Sequence, residues 1–106
     1  MFDFLKKILG TSTTSVDYKN LVRDGALILD VRSKGEFESG HIKGAINIPV
    51  DQLKNNLAKL KDKQKAIITC CASGMRSSSA KAILQGSGYT NVYNGGGWSS
   101  LQDKLL

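Results

Sequence analysis

Short, mostly apolar runs that alternate with helical patterns constrain the fold of this chain most strongly. Residues 27–31 and 66–70 have the length and composition of buried strands, and residues 91–93 indicate a short third strand. Two shorter extended pieces are expected at residues 13–14 and 45–47. Buried strands that are separated by helices are typical of parallel sheets. We therefore expect an α/β fold with a central, mainly parallel five-stranded sheet and helices on both faces.

Three helices are predicted between these strands. Cap residues, apolar spacing and the positions of glycine and proline place them at residues 15–23, 51–60 and 77–85. In such folds, ligands bind outside the carboxyl ends of the strands. The segments that follow Val31 and Cys70 are therefore the candidate positions for a functional site.

Size and charge indicate one folded domain that favours anionic ligands. The chain has 106 residues, which is about the commonest domain size. Fifteen Lys and Arg residues against nine Asp and Glu residues give a net charge of +6. The lysines lack the interleaved aromatic residues that single-stranded nucleic acid requires. We therefore expect a solvated basic face and no nucleic-acid partner.

The chain begins with an amphipathic segment, residues 1–11, and the folded domain is expected to span residues 12–106. Phe2, Leu5 and Leu9 share one helical face, and intervening lysines make the segment unlike a signal peptide. Three roles remain open for it: packing on the domain, weak binding to a membrane surface, or pairing with a second copy. We expect a cytoplasmic protein with no integral membrane segment.

The two cysteines of the chain, Cys70 and Cys71, are adjacent. Neighbouring Cα atoms lie about 3.8 Å apart, whereas a disulfide usually spans about 4.4 to 6.8 Å, so a structural bridge between them is not expected. Two cysteines and one histidine also supply few ligands for a metal site. We therefore expect reduced thiols, no metal and no organic cofactor.

The segment around Cys71 carries the clearest chemical signal. The sequence AIITCCASGMRSSSAKAIL is a buried strand, a short loop with Gly74, and a helix. Backbone N–H groups in a loop that opens a helix stabilise an anion, so we expect Cys71 to ionise readily. Arg76 adds a positive charge and a bidentate fork for an oxyanion. Neighbouring strand residues face opposite ways, so we expect Cys70 to lie in the core. The alternative is that Cys70 acts as a resolving thiol.

Three segments, taken in order, resemble the rhodanese family of sulfurtransferases. The sequence CASGMRS at residues 71–77 resembles the family's active-site loop, and DVRSKGEFESGHIKGAINIP at residues 30–49 is similar to its characteristic upstream segment. The closing residues 95–98 also fit the family, so the resemblance covers about residues 12–105. It implies a single-domain thiosulfate sulfurtransferase with a rhodanese-like fold.

The resemblance also implies roles for particular residues. Cys71 matches the catalytic nucleophile, which forms a persulfide, while Asp30, Arg32 and Glu36 match mainly structural, supporting residues. The rest of the loop is expected to bind substrate, namely Ala72, Ser73, Gly74, Met75, Arg76 and Ser77. Arg32 and Glu36 stand at a spacing that suits an ion pair, and substrate binding by Arg32 is the alternative.

Three other features are interpreted as mainly structural, and Met75 in the loop has two open roles. The resemblance implies that His41 makes a structural hydrogen bond, and we do not expect it to deprotonate the cysteine. Glycines 95–97 lack the Lys and Ser/Thr of a phosphate-binding loop and are expected to allow close backbone packing. Trp98 is expected to be a core or lid residue. Met75 would either favour a less polar donor or shape the rim of the site.

The predicted reaction moves a sulfane sulfur through Cys71. The expected partners are a small anionic sulfur donor such as thiosulfate and a thiol or cyanide acceptor, with a protein as a further candidate acceptor. Two alternatives are a catalytically idle rhodanese-like interaction module and a cysteine phosphatase. Idle modules often lack the cysteine. The loop from Cys71 to Arg76 has six residues, whereas the corresponding loop in the signature of cysteine phosphatases is one residue longer.

Overall fold

A four-stranded parallel sheet organises residues 16–106, which are the residues that the computed structural model describes. The elements in chain order are α1 Tyr18–Arg23, β1 Leu27–Asp30, α2 Lys34–Ser39, β2 Ile46–Asn47, α3 Val50–Leu53, the 3₁₀ helix Leu57–Lys59, β3 Ile67–Cys71, α4 Met75–Gly86, β4 Val92–Gly97 and α5 Trp98–Lys104. The strand order is β2-β1-β3-β4, and each neighbouring pair is parallel.

The predicted α/β fold with a mainly parallel sheet is confirmed. Four of the five expected strands are present, and the fifth, at residues 13–14, lies outside the described residues. β4 is longer than predicted because it continues through three glycines, the last of which, Gly97, pairs with Cys71 at the end of β3. Glycine disfavours strands in isolation, so the pairing partner rather than the local sequence extends this strand.

Each face of the sheet carries its own apolar core. On one face, α4 packs through Leu84 on a cluster that includes Cys71. On the other face, α5 packs through Leu101 on a cluster that includes Cys70. Helices therefore cover both faces, as predicted, and the two adjacent cysteines point into opposite cores because side chains alternate along a strand.

The carboxyl ends of the strands meet at one edge of the sheet. Asp30 lies beside Cys70 on one side and beside Asn47 on the other. Between β3 and β4 the register shifts after Thr69, so β4 carries one extra residue next to Cys71. The ends of β1 and β4 therefore lie directly beside the end of β3.

Two predicted helices differ in length from those observed. The helix predicted over residues 51–60 is wrong, because α3 ends at Leu53 and a separate 3₁₀ turn follows. The side-chain amide of Asn56 donates to the Gln52 carbonyl at 2.8 Å, a local bond of the kind that competes with continued helix. α4 begins at Met75, two residues before the predicted start, and ends at Gly86.

α1 ends at Arg23 as predicted, but a different residue caps its start. The Asp17 carboxylate accepts the Asn20 N–H at 3.0 Å, whereas the expected cap, Ser15, lies outside the described residues. This bond satisfies one of the N–H groups that the first turn leaves without a helical partner.

Two further helices, α2 and α5, were not predicted from the sequence. A capping box opens α2: the Ser33 hydroxyl accepts the Glu36 N–H at 3.2 Å, and the Glu36 carboxylate accepts the Ser33 N–H at 3.1 Å. The Ser-x-x-Glu pattern in the sequence is typical of a helix start and therefore indicates this helix. Within residues 16–106, no helix has the length and apolar character needed to cross a membrane.

Candidate active site

Cys71 is the last residue of β3, and its sulfur lies under the loop that leads into α4. Its side chain is only 1% exposed, and its Sγ accepts hydrogen bonds from the Gly74 N–H at 2.9 Å and the Ser77 N–H at 3.3 Å. Gly74 directs its N–H inwards with a φ of 106°, a left-handed conformation that other residues adopt at a cost. The strand therefore fixes the sulfur, and the loop supplies donors to it.

These contacts favour the thiolate of Cys71. Burial raises the pKa of the thiol, but hydrogen bonds from the Ser77 side chain and from the N–H groups of Ser77, Gly74 and Ser73 outweigh it, so the pKa is lowered. A lower thiol pKa means a larger thiolate fraction near neutral pH, and the thiolate is the reactive nucleophile. The sequence-based expectation of a readily ionised Cys71 therefore has a physical basis in the loop.

Cys70 has the opposite electrostatic environment. It is completely buried in the core beneath α5. Burial, together with the nearby negative charge of Asp30, raises the pKa of its thiol to about 12. A neutral thiol in an apolar core is a poor nucleophile, which agrees with its expected structural role.

Asn94 joins the loop to the neighbouring strand, and its role was not predicted from the sequence. Its side-chain oxygen accepts the Ser77 hydroxyl at 2.7 Å and the Gly96 N–H at 3.0 Å. The hydroxyl of Tyr18 in turn donates to the Asn94 carbonyl at 3.1 Å. The sequence does show a polar residue directly before the glycine run. Its contact with Ser77, however, depends on the shifted register of β4, which the sequence does not indicate.

Asp30 and Arg32 form a buried ion pair beside the strand ends. The Arg32 Nη2 and Asp30 Oδ2 atoms are 2.7 Å apart, and Arg32 Nη2 also donates to the Gly40 carbonyl at 2.6 Å. The guanidinium lies 4.6 Å from the centre of the Trp98 ring. Asp30, Gly40 and Trp98 thus hold Arg32 in place, in keeping with a structural role. Trp98 itself packs against the core, which is one of the two roles expected for it.

The predicted ion pair between Arg32 and Glu36 is wrong. Arg32 pairs with Asp30, while Glu36 pairs with Arg76 from the loop. The Arg76 Nη1 and Nη2 atoms donate to the two Glu36 carboxylate oxygens at 2.7 and 3.0 Å. This loop guanidinium was expected to point its fork at an oxyanion, and instead the fork binds a protein carboxylate.

His41 does not belong to the cysteine's hydrogen-bond network. Its ring stacks on Phe37 with centroids 3.7 Å apart, and its Nδ1 lies 2.7 Å from the Phe37 carbonyl oxygen. The side chain is exposed on the segment after α2. These contacts agree with a structural hydrogen bond and give His41 no part in ionising Cys71.

An open groove of about 510 Å³ lies beside the loop. Val31, Pro49 and Val50 provide its apolar surface, and Lys34, Asp51 and Arg76 provide its charged groups. No group of His, Cys, Asp and Glu residues within 16–106 is arranged to hold a metal ion. The groove reaches the loop through Arg76, so it is a candidate binding surface for a small molecule or an extended group beside the loop that holds Cys71.

Fold and site define an α/β protein with a cysteine thiolate in an amide-lined loop at the end of a central strand. The family model of the rhodanese-like domain matches residues 14–104, and the chain belongs to this sulfurtransferase family. The family resemblance predicted from the loop and the upstream segment is therefore confirmed.

Particular relatives show how the family varies. The chain is 40% identical over 70 residues to the thiosulfate sulfurtransferase PspE of Escherichia coli, a match that covers 65% of this chain and 67% of PspE. It is 33% identical over 84 residues to a tRNA uridine(34) hydroxylase of Hamiltonella defensa, covering 74% of this chain but only 24% of that protein. A solved E. coli rhodanese with anions has a TM-score of 0.67 and 36% identity, covering 71% of this chain and 89% of its own.

Proposed function

We propose that this chain is a thiosulfate sulfurtransferase that carries sulfur as a persulfide on Cys71. The observation that supports the proposal most directly is the buried Cys71 sulfur that accepts the Gly74 and Ser77 N–H groups in a chain of the rhodanese family. The same groups that stabilise a thiolate would stabilise the terminal sulfur of a persulfide anion. The 40% identity to PspE, a thiosulfate sulfurtransferase, also supports the proposal.

The proposed reaction has two balanced steps. The Cys71 thiolate attacks the outer sulfur of thiosulfate, a new S–S bond forms, and the old S–S bond breaks with its electron pair leaving on sulfite. Cyanide then attacks the outer sulfur of the persulfide and leaves as thiocyanate, which restores the thiolate. A cellular thiol, or a thiol of a protein acceptor, would take the place of cyanide. Neither step needs a metal or an organic cofactor.

The loop residues have distinct parts in this proposal. The N–H groups of Gly74 and Ser77 donate to the Cys71 sulfur and would stabilise the sulfur that it accepts, and Ala72 and Ser73 complete the turn between β3 and α4. Met75 is 80% exposed, so it forms the rim of the site, where it would meet the body of a donor or acceptor.

A cysteine phosphatase is a weaker proposal for the same parts. Its loop would have to surround a tetrahedral phosphoryl group, whereas here two N–H groups lie directly on the sulfur of a side chain that is 1% exposed. A single added sulfur atom needs less room at this position than a tetrahedral phosphoryl group does. An idle interaction module is also less well supported, because the contacts that lower the pKa of Cys71 have no use in it.

The proposed setting is a reducing compartment such as the cytoplasm. Both cysteines are free, and a persulfide carrier depends on a free thiol.

The tRNA uridine(34) hydroxylase, of which this chain spans about a quarter, belongs to a group of longer relatives. The match covers only 24% of that protein, so its activity forms no part of the proposal.

Substitution of each cysteine tests the proposal. We expect Cys71→Ser to abolish thiocyanate formation from thiosulfate and cyanide, and Cys70→Ser to retain most of it, because their sulfurs face opposite cores. Steady-state thiocyanate production measures both, and circular dichroism checks that each variant is folded. An active Cys71→Ser variant beside an inactive, folded Cys70→Ser variant would show that the nucleophile is misassigned.

A further inference from the structure

Glu36 binds the edge of the Arg76 guanidinium that its two terminal nitrogens form. The two terminal guanidinium nitrogens donate to the two carboxylate oxygens at 2.7 and 3.0 Å. This bidentate geometry is the strongest and most directional form of ion pair. The same edge would otherwise be available to the oxygens of an anionic donor, so the donor and Glu36 compete for it.

Glu36 is itself fixed by contacts on its own helix. One carboxylate oxygen accepts the Ser33 N–H at 3.1 Å and the Ser33 hydroxyl at 3.0 Å. Its bonds to Arg76 and Ser33 lower its pKa to about 2, so it is ionised throughout the physiological range. The carboxylate is therefore a permanent negative charge in a defined position beside the loop.

The groove next to the loop carries no net positive charge, although the whole chain carries +6. Lys34 and Arg76 line this groove, as does Asp51, and Glu36 pairs with Arg76. Two positive and two negative formal charges thus balance at the entrance. A dianion gains little from long-range attraction at such a site.

We propose that Glu36 is a specificity-determining residue that lowers the preference of the site for dianionic sulfur donors. It does so by binding both ends of the Arg76 fork and cancelling its charge. Organic sulfane compounds that carry less charge next to the transferable sulfur can then serve as donors alongside thiosulfate. This inference rests on the proposed sulfur transfer to Cys71 and names the class of donor that this site selects.

Two donors that differ by one charge isolate this effect. Thiosulfate is a dianion, and methanethiosulfonate is a monoanion in which a methyl group replaces one oxygen. In both cases the Cys71 thiolate attacks the outer sulfur, and the S–S bond breaks with its electron pair leaving on sulfite or on methanesulfinate. The ratio of the two kcat/KM values therefore reports charge recognition, because changes in the nucleophile itself affect both donors.

The ratio of the two kcat/KM values is compared in four forms of the protein: the wild type, two single variants and the double variant. Relative to the wild type, Glu36→Gln adds one positive charge, Arg76→Ala removes one, and the double variant restores the balance. We expect the thiosulfate to methanethiosulfonate ratio to rise about fivefold in Glu36→Gln and to fall by a similar factor in Arg76→Ala. The double variant should return close to the wild-type ratio, and all differences should shrink as salt is added.

Glu38→Gln is the matched control, because Glu38 is an exposed carboxylate on the same helix. It should leave the ratio unchanged. Glutamine at position 36 still satisfies the capping box, and thermal unfolding checks that α2 remains folded. Arg76→Ala leaves the capping box of α2 in place, so it gives a second, independent measurement of charge recognition.

The possible results separate two kinds of failure. An unchanged or lower ratio in Glu36→Gln, or a double variant that stays as low as Arg76→Ala, would overturn the role of Glu36 and show that Arg76 binds the donor directly. In that case Cys71 would still become one sulfur atom heavier by intact mass. If neither donor loads sulfur onto Cys71, the proposed sulfurtransferase function itself fails.

Discussion

At the scale of single residues, Ser77 contacts the site through two different groups. Its N–H lies 3.3 Å from the Cys71 sulfur. Its hydroxyl lies 2.7 Å from Asn94 Oδ1 and 3.0 Å from the Gly74 carbonyl oxygen. Because a hydroxyl has a single proton, donation to the sulfur competes with donation to those oxygens, whereas the backbone N–H groups have no such choice. The backbone is therefore the steadier source of thiolate stabilisation.

Removal of that hydroxyl gives a test at the same scale. We expect Ser77→Ala to raise the pKa of Cys71 but to leave sulfur transfer detectable, because the N–H groups of residues 74 and 77 remain. Iodoacetamide alkylation across a pH series, in a Cys70→Ser background, measures the change. The midpoint of the rate should move to higher pH, since less thiolate is present at each lower pH. An unmoved midpoint would mean that the hydroxyl does not act on the sulfur.

Residue roles were predictable where they follow from position along one strand. Alternation along β3 predicts opposite directions for Cys70 and Cys71, and their side chains do lie in opposite cores. The partners of charged residues were harder to predict. Arg76 and Glu36 are 40 positions apart, and their pairing depends on how the loop and α2 meet in space. Helical spacing therefore suggested a plausible but incorrect partner for Glu36.

At the scale of secondary-structure elements, Gly95 sets how closely β4 approaches β3 and α5. A Cβ atom at this position would lie 2.8 Å from both the Ile68 Cγ2 and the Thr69 carbonyl oxygen, and 2.9 Å from the Leu101 Cδ2. Those distances are too short for any side chain to fit without movement of the backbone. The expectation of close packing at the glycine run is therefore confirmed at this residue.

Substitution of Gly95 should consequently destabilise the fold. We expect Gly95→Ala to reduce the free energy of unfolding by about 1 to 3 kcal/mol, as overpacking of a core does, with unfolding in urea as the measurement. Gly35→Ala is the matched control, because nothing lies within 4 Å of a Cβ added in α2. It should be neutral or slightly stabilising. Equal stability of the two variants would contradict the close approach of the strands.

Element boundaries were less predictable than the existence of elements. The central strands were recognisable because both of their faces are buried and their sequences are accordingly apolar. The end of β4 was not recognisable, since the register shifts beside its first two glycines and pairing resumes only between Gly97 and Cys71. α2 was overlooked although its capping box is visible in the sequence, because its six residues carry no long apolar pattern.

At the scale of the whole molecule, the sequence order of strands and helices was sufficient to predict the fold class. Parallel strands place their carboxyl ends together, so the segments after Val31 and Cys70 meet although they are far apart in sequence. Net charge was a poorer guide. The +6 of the chain suggested an anion-seeking site, but the charges that surround the groove balance one another. Local pairing therefore decides what the site attracts.

The central claim is that Cys71 accepts and releases a single sulfur atom. Intact mass spectrometry after incubation with thiosulfate tests it most directly, with aryl phosphate hydrolysis measured on the same protein. We predict a gain of one sulfur atom on Cys71, its loss on addition of cyanide, and no gain in Cys71→Ser. Aryl phosphates should be hydrolysed no faster by the wild type than by Cys71→Ser. A wild-type protein that never gains the sulfur and cleaves aryl phosphate through Cys71 would contradict the account.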